Sequence, residues 1–216
     1  MSTEHEDCCF DDWVGHWTRR VRRRPTAAAV TVSLLEALEE AGVRGRTVLD
    51  IGCGIGDVAI TTLRQGASRA VGVELSPRAV GEARRLAAER GVGDRATFRV
   101  EDGAKADLPE SDVVVLNRVF CCYPDIDNLL RRSLGAARHV YAFTAPPSRG
   151  VLGAIARAQT RVSNVWYRLR ERKFRGFQVF VHDLDRVDET VRAAGFTRLR
   201  DERRRFAWQL SVYARA

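Results

Sequence analysis

Three glycines fall within five residues at Gly52-Cys53-Gly54-Ile55-Gly56, directly after the apolar run Thr47-Val48-Leu49-Asp50-Ile51 and directly before a helical pattern that starts at Asp57. Glycines reach backbone dihedrals closed to other residues, and they let a ligand lie against bare backbone. The helix that follows presents unpaired N–H groups to that ligand. A strand ending in this way is a cofactor cradle, and two cofactor classes use it. In the dinucleotide fingerprint G-x-G-x-x-G the helix N-terminus holds a pyrophosphate. Here the spacing is G-x-G-x-G, and Asp57 stands where the third dinucleotide glycine would fall. A carboxylate there suits a diphosphate poorly. The phosphate loop GxxxxGK[ST] is absent as well.

Such a cradle needs strands whose ends converge. Residues 47–51 read as a first strand, followed by a helix over about 57–65. Ala70–Glu74 is a second strand, and Ser76-Pro77 opens a helix to Arg90, with Ser76 as N-cap and Pro77 in the first helical position. Ala96–Val100 and Asp112–Asn117 are the third and fourth strands, the latter apolar enough to be buried on both faces. A helix over 126–136 and a strand over 139–143 follow. Residues 148–172 look helical and rich in arginine, and 183–194 form a further helix stopped by Gly195. Two closing strands, 197–201 and 206–213, are close enough for a hairpin. Ahead of all this, residues 26–41 read as a helix with Thr26 as N-cap and Gly42 as stop, and 1–25 as an irregular N-terminal arm. Repeated strand–helix units predict an α/β, Rossmann-like doubly wound sheet, mostly parallel, with a C-terminal antiparallel hairpin. The expected organisation is an arm over 1–25 and one domain over 26–216, with a lid-like insertion at about 144–181.

The stretch VLDIGCGIGD, residues 48–57, resembles the first motif of the class I S-adenosylmethionine-dependent methyltransferases, and the likeness in layout covers roughly residues 26–214. That resemblance implies S-adenosylmethionine as cofactor, held by the loop at Gly52, Cys53, Gly54 and Gly56. It implies that Glu74, ending the second strand in VGVELS, accepts both ribose hydroxyls, with Leu75 flat against the adenine. Asp102 in VEDGA would take the adenine amino group, with Glu101 next to it as the competing assignment and Gly103 leaving room for the ring. The backbone at Asn117 and Arg118 would face the methionine portion. Asp50 would sit beneath the methionine amino group, and a carboxylate at a strand tip costs little where a cation is its partner.

Methyl transfer from a sulfonium is largely a matter of alignment, with a general base where the nucleophile is a hydroxyl. Tyr123, Asp125 and His182 are the candidate catalytic residues, with Tyr141 also considered. Against these stand plain structural readings, in which Asp125 caps a helix and His182 introduces the next one. The insertion would cover the substrate, with Val151, Leu152, Ile155, Val162, Trp166 and Leu169 on one face of a lid helix and Arg157, Arg161 and Arg168 meeting an anionic acceptor. The C-terminal layout loosely resembles that of the magnesium-protoporphyrin O-methyltransferases and related natural-product enzymes, which implies a small-molecule acceptor with an O- or N-nucleophile. The Asn-Pro-Pro-Tyr sequence of nucleic-acid amino-methylases and the Pro-Cys of cytosine-5 enzymes are missing. Two other readings stay open: an RNA methyltransferase that grips phosphate with arginines, and a non-catalytic domain that binds the cofactor or a partner.

The chain's 216 residues carry a net charge of +8, and Lys105 and Lys173 are its only lysines. Arginines cluster at 19–24, 168–175 and 203–205, either as solvated surface or as a face for an anionic partner. No apolar run is long enough to span a membrane, and the acidic start MSTEHEDCCFDDW lacks the apolar core of a secretory signal, so a cytoplasmic protein without a membrane partner is expected. Five cysteines, Cys8, Cys9, Cys53, Cys121 and Cys122, argue against disulfides in such a setting. They lack the CxxC spacing of a zinc site, and no metal is expected. A set of His5, Cys8, Cys9 and His16 is the one alternative.

Overall fold

In the β1 segment Val48 and Leu49 are both buried but belong to different cores, because successive side chains on a strand point to opposite faces. The computed structural model describes residues 10, 11, 14, 15, 29–170, 176–204 and 208–215. Its elements run α1 (Ala29–Glu40), β1 (Thr47–Ile51), α2 (Asp57–Arg64), β2 (Arg69–Glu74), α3 (Pro77–Glu89), β3 (Ala96–Val100), β4 (Ser111–Asn117), a 3-10 turn (Phe120–Cys122), α4 (Ile126–Ala136), β5 (Ala137–Ala145), α5 (Gly150–Leu169), α6 (Leu184–Ala193), β6 (Phe196–Arg204) and β7 (Trp208–Arg215).

The seven strands form one sheet in the order β3-β2-β1-β4-β5-β7-β6. The first five are parallel, and β7 inserts antiparallel between β5 and β6. On one face, Leu34 and Leu38 of α1, Val58 and Leu63 of α2, and Val80 and Leu86 of α3 pack with Val48, Val113, Val140 and Val212. On the other, Leu129 and Leu130 of α4 and Val187 and Val191 of α6 pack with Leu49, Val114, Leu116, Tyr141 and Phe143. Each such side chain, fully buried, contributes about 1.5–3 kcal/mol. The doubly wound sheet with its antiparallel C-terminal hairpin is the fold the sequence predicts.

Boundaries moved where pairing extends an element. β5 starts at Ala137, straight from the end of α4, and runs to Ala145 because β7 pairs with it from Val140 onward. The helix expected over 148–172 is α5, Gly150–Leu169. Ser76 caps α3 as expected, its Oγ accepting from the Ala79 N–H at 3.0 Å. Thr26 as a cap, the arginines 19–24 and the His5, Cys8, Cys9, His16 set lie outside the described residues.

The strand order reverses between β1 and β4. Ligands in open α/β sheets bind at that point, beyond the carboxyl ends of the strands. Asp50, the glycine loop, Glu74, Asp102 and Asn117 all sit at or just past those ends.

Candidate functional site

The loop after β1 is shaped by close approaches. Gly52, with φ 67°, takes a conformation that suits glycine, and a Cβ there would come within 2.5 Å of Val119 Cγ2. Gly54 and Gly56 also have positive φ, and Gly56 precedes α2 in the left-handed region. Cys53 turns its side chain away from the cradle. Its Sγ is buried against Gly72 on β2, where a Cβ would meet it at 2.7 Å, so only the Cys53 backbone remains for a ligand. Gly72 went unremarked in the sequence, since a glycine inside a strand pattern carries no ligand signal of its own.

Glu74 is buried at the end of β2 and anchors the loop. Its Oε2 accepts the Gly54 N–H at 3.0 Å and its Oε1 accepts the Ser76 N–H at 3.1 Å. An ionised carboxylate has about four acceptor sites, so acceptor capacity remains for a ligand hydroxyl. Burial raises the Glu74 carboxyl above its ordinary range, and the backbone N–H groups of Ser76, Gly54 and Leu75 oppose that shift. Leu75 beside it is exposed, as is Val100 at the end of β3, which leaves two apolar side chains uncovered at neighbouring strand tips.

Asp50 is 1% exposed, and its Oδ2 accepts the Ala59 N–H of α2 at 3.2 Å. Its Oδ1 is buried with no hydrogen-bond partner. Burial drives its carboxyl up to about 8, with the charges of Asp57 and Glu74 adding to the shift. A buried acceptor left in this state is destabilising unless a donor or a cation meets it.

At the tip of β4 the Arg118 backbone already has partners within the chain. The Arg118 N–H donates to Thr144 Oγ1 at 2.8 Å, and the Cys121 thiol lies 3.2 Å from the Arg118 carbonyl. Asn117 spends its side chain on Thr31 Oγ1 at 3.0 Å and Thr144 Oγ1 at 2.8 Å. Arg118 has φ 61°, the one positive φ of a non-glycine among the described residues, a conformation that costs about 1–3 kcal/mol. Its charge acts on Asp57 at the start of α2, opposing the rise that burial gives that carboxyl, while its own Nε is buried without a partner. Asp57, Thr144 and the Arg118 guanidinium were missed by sequence reasoning, because their roles depend on which strands lie side by side.

At the end of β3 both acidic residues are present but differently used. Asp102 Oδ1 accepts the Ala104 N–H at 3.0 Å and the Tyr123 hydroxyl at 2.8 Å. Glu101 Oε2 is buried without a partner. Gly103 is also constrained by packing: a Cβ there would meet Ile51 Cγ2 at 2.5 Å.

The three catalytic candidates are each engaged. The Tyr123 phenol is pushed above its ordinary range by burial and by Asp102, so it stands as a donor and not as a base. Asp125 caps α4, accepting from the Asn128 N–H at 3.1 Å. His182 Nε2 lies 2.9 Å from the Tyr123 carbonyl; a carbonyl only accepts, so this nitrogen carries the hydrogen. Burial lowers the His182 pKa, which keeps the ring neutral. Tyr141 is far from this edge, fully buried and hydrogen-bonded to Ser133 at 2.8 Å, so it is no base for an acceptor.

The segment between β5 and α6 straps onto the turn that follows β4. The Phe180 N–H donates to the Cys121 carbonyl at 2.8 Å, beside the His182 contact. Asn164 on α5 holds Val179 through both backbone groups, at 2.9 and 2.8 Å. Tyr167 adjoins Cys121 and Cys122, and Phe177 sets its ring against Tyr167 and Phe10. From the arm, the Asp11 carboxylate is hydrogen-bonded to the Ser76 hydroxyl, and Val14 is buried. The Cys121 thiol lies 3.3 Å from that of Cys122. The Cys122 contact and the Arg118 charge hold it below the ordinary thiol range, against the effect of burial. No group of three or more metal-ligating side chains is found among the described residues.

Residues 50–143 match the model of the ANTKMT methyltransferase domain family. The ribosomal protein L11 methyltransferase of Pasteurella multocida is 40% identical over 87 residues, which are 40% of this chain and 29% of that protein. That of Photorhabdus laumondii is 39% identical over 93 residues, 43% of this chain and 31% of that protein. The match thus spans under a third of the length of these relatives. Among solved structures, magnesium protoporphyrin IX methyltransferase from Synechocystis with bound S-adenosylmethionine superposes with a TM-score of 0.69 at 20% identity, over 96% of this chain and 93% of that one. The [4+2]-cyclase SpnF gives 0.70 at 18% identity, over 95% and 93%. The protein has the class I methyltransferase fold.

Proposed function

We propose that this protein is an S-adenosylmethionine-dependent methyltransferase acting on a small-molecule acceptor. The observation that carries the cofactor reading is the buried, unpartnered Oδ1 of Asp50 beside a glycine loop and a buried Glu74. The residues fit that cofactor group by group. Glu74 accepts the ribose hydroxyls, Leu75 and Val100 flank the adenine, and Asp102, with Glu101, takes its amino group. Asp50 takes the ammonium, and the Arg118 guanidinium faces the carboxylate, both from the β1–β4 switch point. The cofactor, when bound, supplies a methyl group already activated on a sulfonium.

What the chain adds is placement. Tyr123, Asp125 and His182 serve the frame of the site, so the reaction rests on aligning the acceptor and excluding water rather than on a fixed base. The strap at 177–182, with Phe177 and Tyr167, supplies an aromatic wall on the acceptor side. An aromatic wall fits a compact, partly apolar acceptor.

The test follows labelled methyl from the cofactor into the small-molecule, RNA and protein fractions of a cell extract, beside calorimetry with S-adenosylhomocysteine. Label in the small-molecule fraction supports the reading. Label in RNA or protein moves the acceptor to that class, and no binding of cofactor or product alongside binding of NAD removes the reading altogether.

A further inference from the structure

Helix α5 inverts the usual arrangement of a surface helix, whose apolar stripe faces the core. Val151, Ile155, Ala158, Val162, Val165 and Leu169 recur at alternating spacings of four and three, which at ~100° per residue gathers them on one face. All six are exposed, and the five larger ones are between 47% and 81% accessible. Gly153 is buried, and Leu152, Ala156, Thr160, Ser163, Asn164 and Tyr167 are half-buried; of the expected lid face, Val151, Ile155, Val162, Trp166 and Leu169 are exposed and Leu152 is half-buried. The charge on the helix is of one sign: Arg157, Arg161 and Arg168, with no Asp or Glu between Gly150 and Leu169. Arg170 follows and sits over the Trp166 ring, 4.7 Å from its centroid.

We propose that α5 is a membrane-surface helix that lays its aliphatic stripe into the headgroup region of an anionic bilayer, with its arginines on the lipid headgroups. No helix among the described residues is long and apolar enough to cross a membrane, and an apolar face flanked by arginine is the form that lies in the interface instead. Charge selects this occupant. A second copy would bring two wholly cationic helices together, against their repulsion. A nucleic acid would take the arginines and leave five aliphatic side chains in water. An anionic bilayer meets both needs, each arginine near its surface adding about fivefold in affinity.

The inner face of α5 explains what docking achieves. Asn164 holds Val179 of the strap, and Phe180 and His182 tie that strap to the turn after β4. A docked α5 therefore carries the acceptor side of the site down to the bilayer. On the methyl-transfer reading, on which this step alone rests, the acceptor is an amphiphile that dissolves in the membrane.

The experiment is flotation of the full chain with phosphatidylglycerol–phosphatidylcholine vesicles against pure phosphatidylcholine vesicles, at low and high salt. The expected result is binding to the anionic vesicles that weakens with salt. The double variants Val162→Asp/Val165→Asp and Arg161→Glu/Arg168→Glu each lose at least about tenfold in that binding. Both keep their circular dichroism and their affinity for S-adenosylhomocysteine. Absence of flotation with anionic vesicles, or flotation of the aspartate variant equal to the unsubstituted chain, overturns the proposal. So does a solution dimer that the aspartate variant dissolves, which would give the stripe to a second copy. Vesicle binding is read without cofactor, so a failure to bind S-adenosylhomocysteine would count against methyl transfer alone. Labelled methyl appearing only in water-soluble products, and none in the lipid extract of cell membranes, would overturn the amphiphilic acceptor.

Discussion

The loop after β1 and the segment between β5 and α6 meet at one edge of the sheet, but different forces shape them. The first is fixed by backbone and by burial: Glu74 holds Gly54 and Ser76, Asp50 holds Ala59, and Gly52 fits under Val119. Beside it Asp50 Oδ1 and Arg118 Nε are buried without a partner. The second buries little of its helix: Gly153 is the one buried residue of α5, which is held through Asn164 and a few ring contacts. A site that must hold an unchanging cofactor tolerates no slack, whereas a segment that meets the acceptor has no such constraint. If this contrast is right, substitutions in the loop should have large effects on cofactor affinity, and substitutions in the strap should leave that affinity alone.

The largest effect is expected from Gly54→Val. Its φ of 54° is closed to a β-branched residue, and its N–H is the donor to Glu74. Loss of S-adenosylhomocysteine affinity by more than about a hundredfold, with unchanged circular dichroism, is the expected outcome. Calorimetry showing near-normal affinity would mean that the loop is not the cradle.

Next is Glu74→Gln, which keeps the shape but turns one oxygen into an amide NH₂ facing the Gly54 or Ser76 donor. Hydrogen bonds to a charged group contribute about 1.5–3 kcal/mol, so affinity should fall between about ten- and a hundredfold. A change below threefold would show that the ribose reading of Glu74 is wrong.

How much of this contrast could be read from the sequence differs between the two regions for a physical reason. The GxGxG loop, Asp50 and Glu74 are local signals, since each follows from one strand and the turn after it. Arg118, Asp57 and Thr144 act through neighbours brought together by the β1–β4–β5 pairing, and spacing along the chain carries no trace of that. The packing of Gly103 on Ile51 was not legible, because Ile51 is fifty-two residues earlier (103 − 51). The expected apolar face of α5 shares Val151, Ile155, Val162 and Leu169 with the exposed stripe, yet periodicity gives a face and not what that face meets. Asp125 had an ordinary structural explanation, and it makes that cap, whereas the bond of His182 to the Tyr123 carbonyl joins residues fifty-nine apart and has no local signal.

Asp50 gives a smaller effect with a definite sign. Its carboxyl is raised to about 8, so the native state without ligand binds a proton that the unfolded chain releases near the ordinary 3.8. Stability from this group is therefore full at low pH and declines as pH rises toward about 8. An ammonium selects the ionised form, so S-adenosylhomocysteine affinity should rise with pH through this range, by up to about tenfold per unit below 8, with proton release on binding. Calorimetry in buffers of different ionisation enthalpy measures that release. Asp50→Asn should bind more weakly and lose the pH dependence; a pH profile unchanged by Asp50→Asn would remove the carboxylate from the ammonium site.

The smallest effect is expected in the strap, and there the sharpest reading comes from what does not change. Asn164→Ala removes the two bonds that pin Val179 to α5, worth about 1 kcal/mol each when part-buried. The remaining ties, Phe180 to Cys121 and His182 to Tyr123, keep the segment in place most of the time. Amide exchange over 176–182 should therefore speed up by about five- to thirtyfold, while α1–α4 and the sheet keep their protection. S-adenosylhomocysteine affinity should stay within about twofold, because none of the bonds around Gly54, Glu74 or Asp50 passes through Asn164. On the proposed reading, in which Tyr167 and Phe177 wall the acceptor side, turnover with the acceptor, once it is identified, should drop through KM before kcat. A loss of cofactor affinity as large as that of Glu74→Gln would show that the two regions are coupled, and the contrast between them would fail.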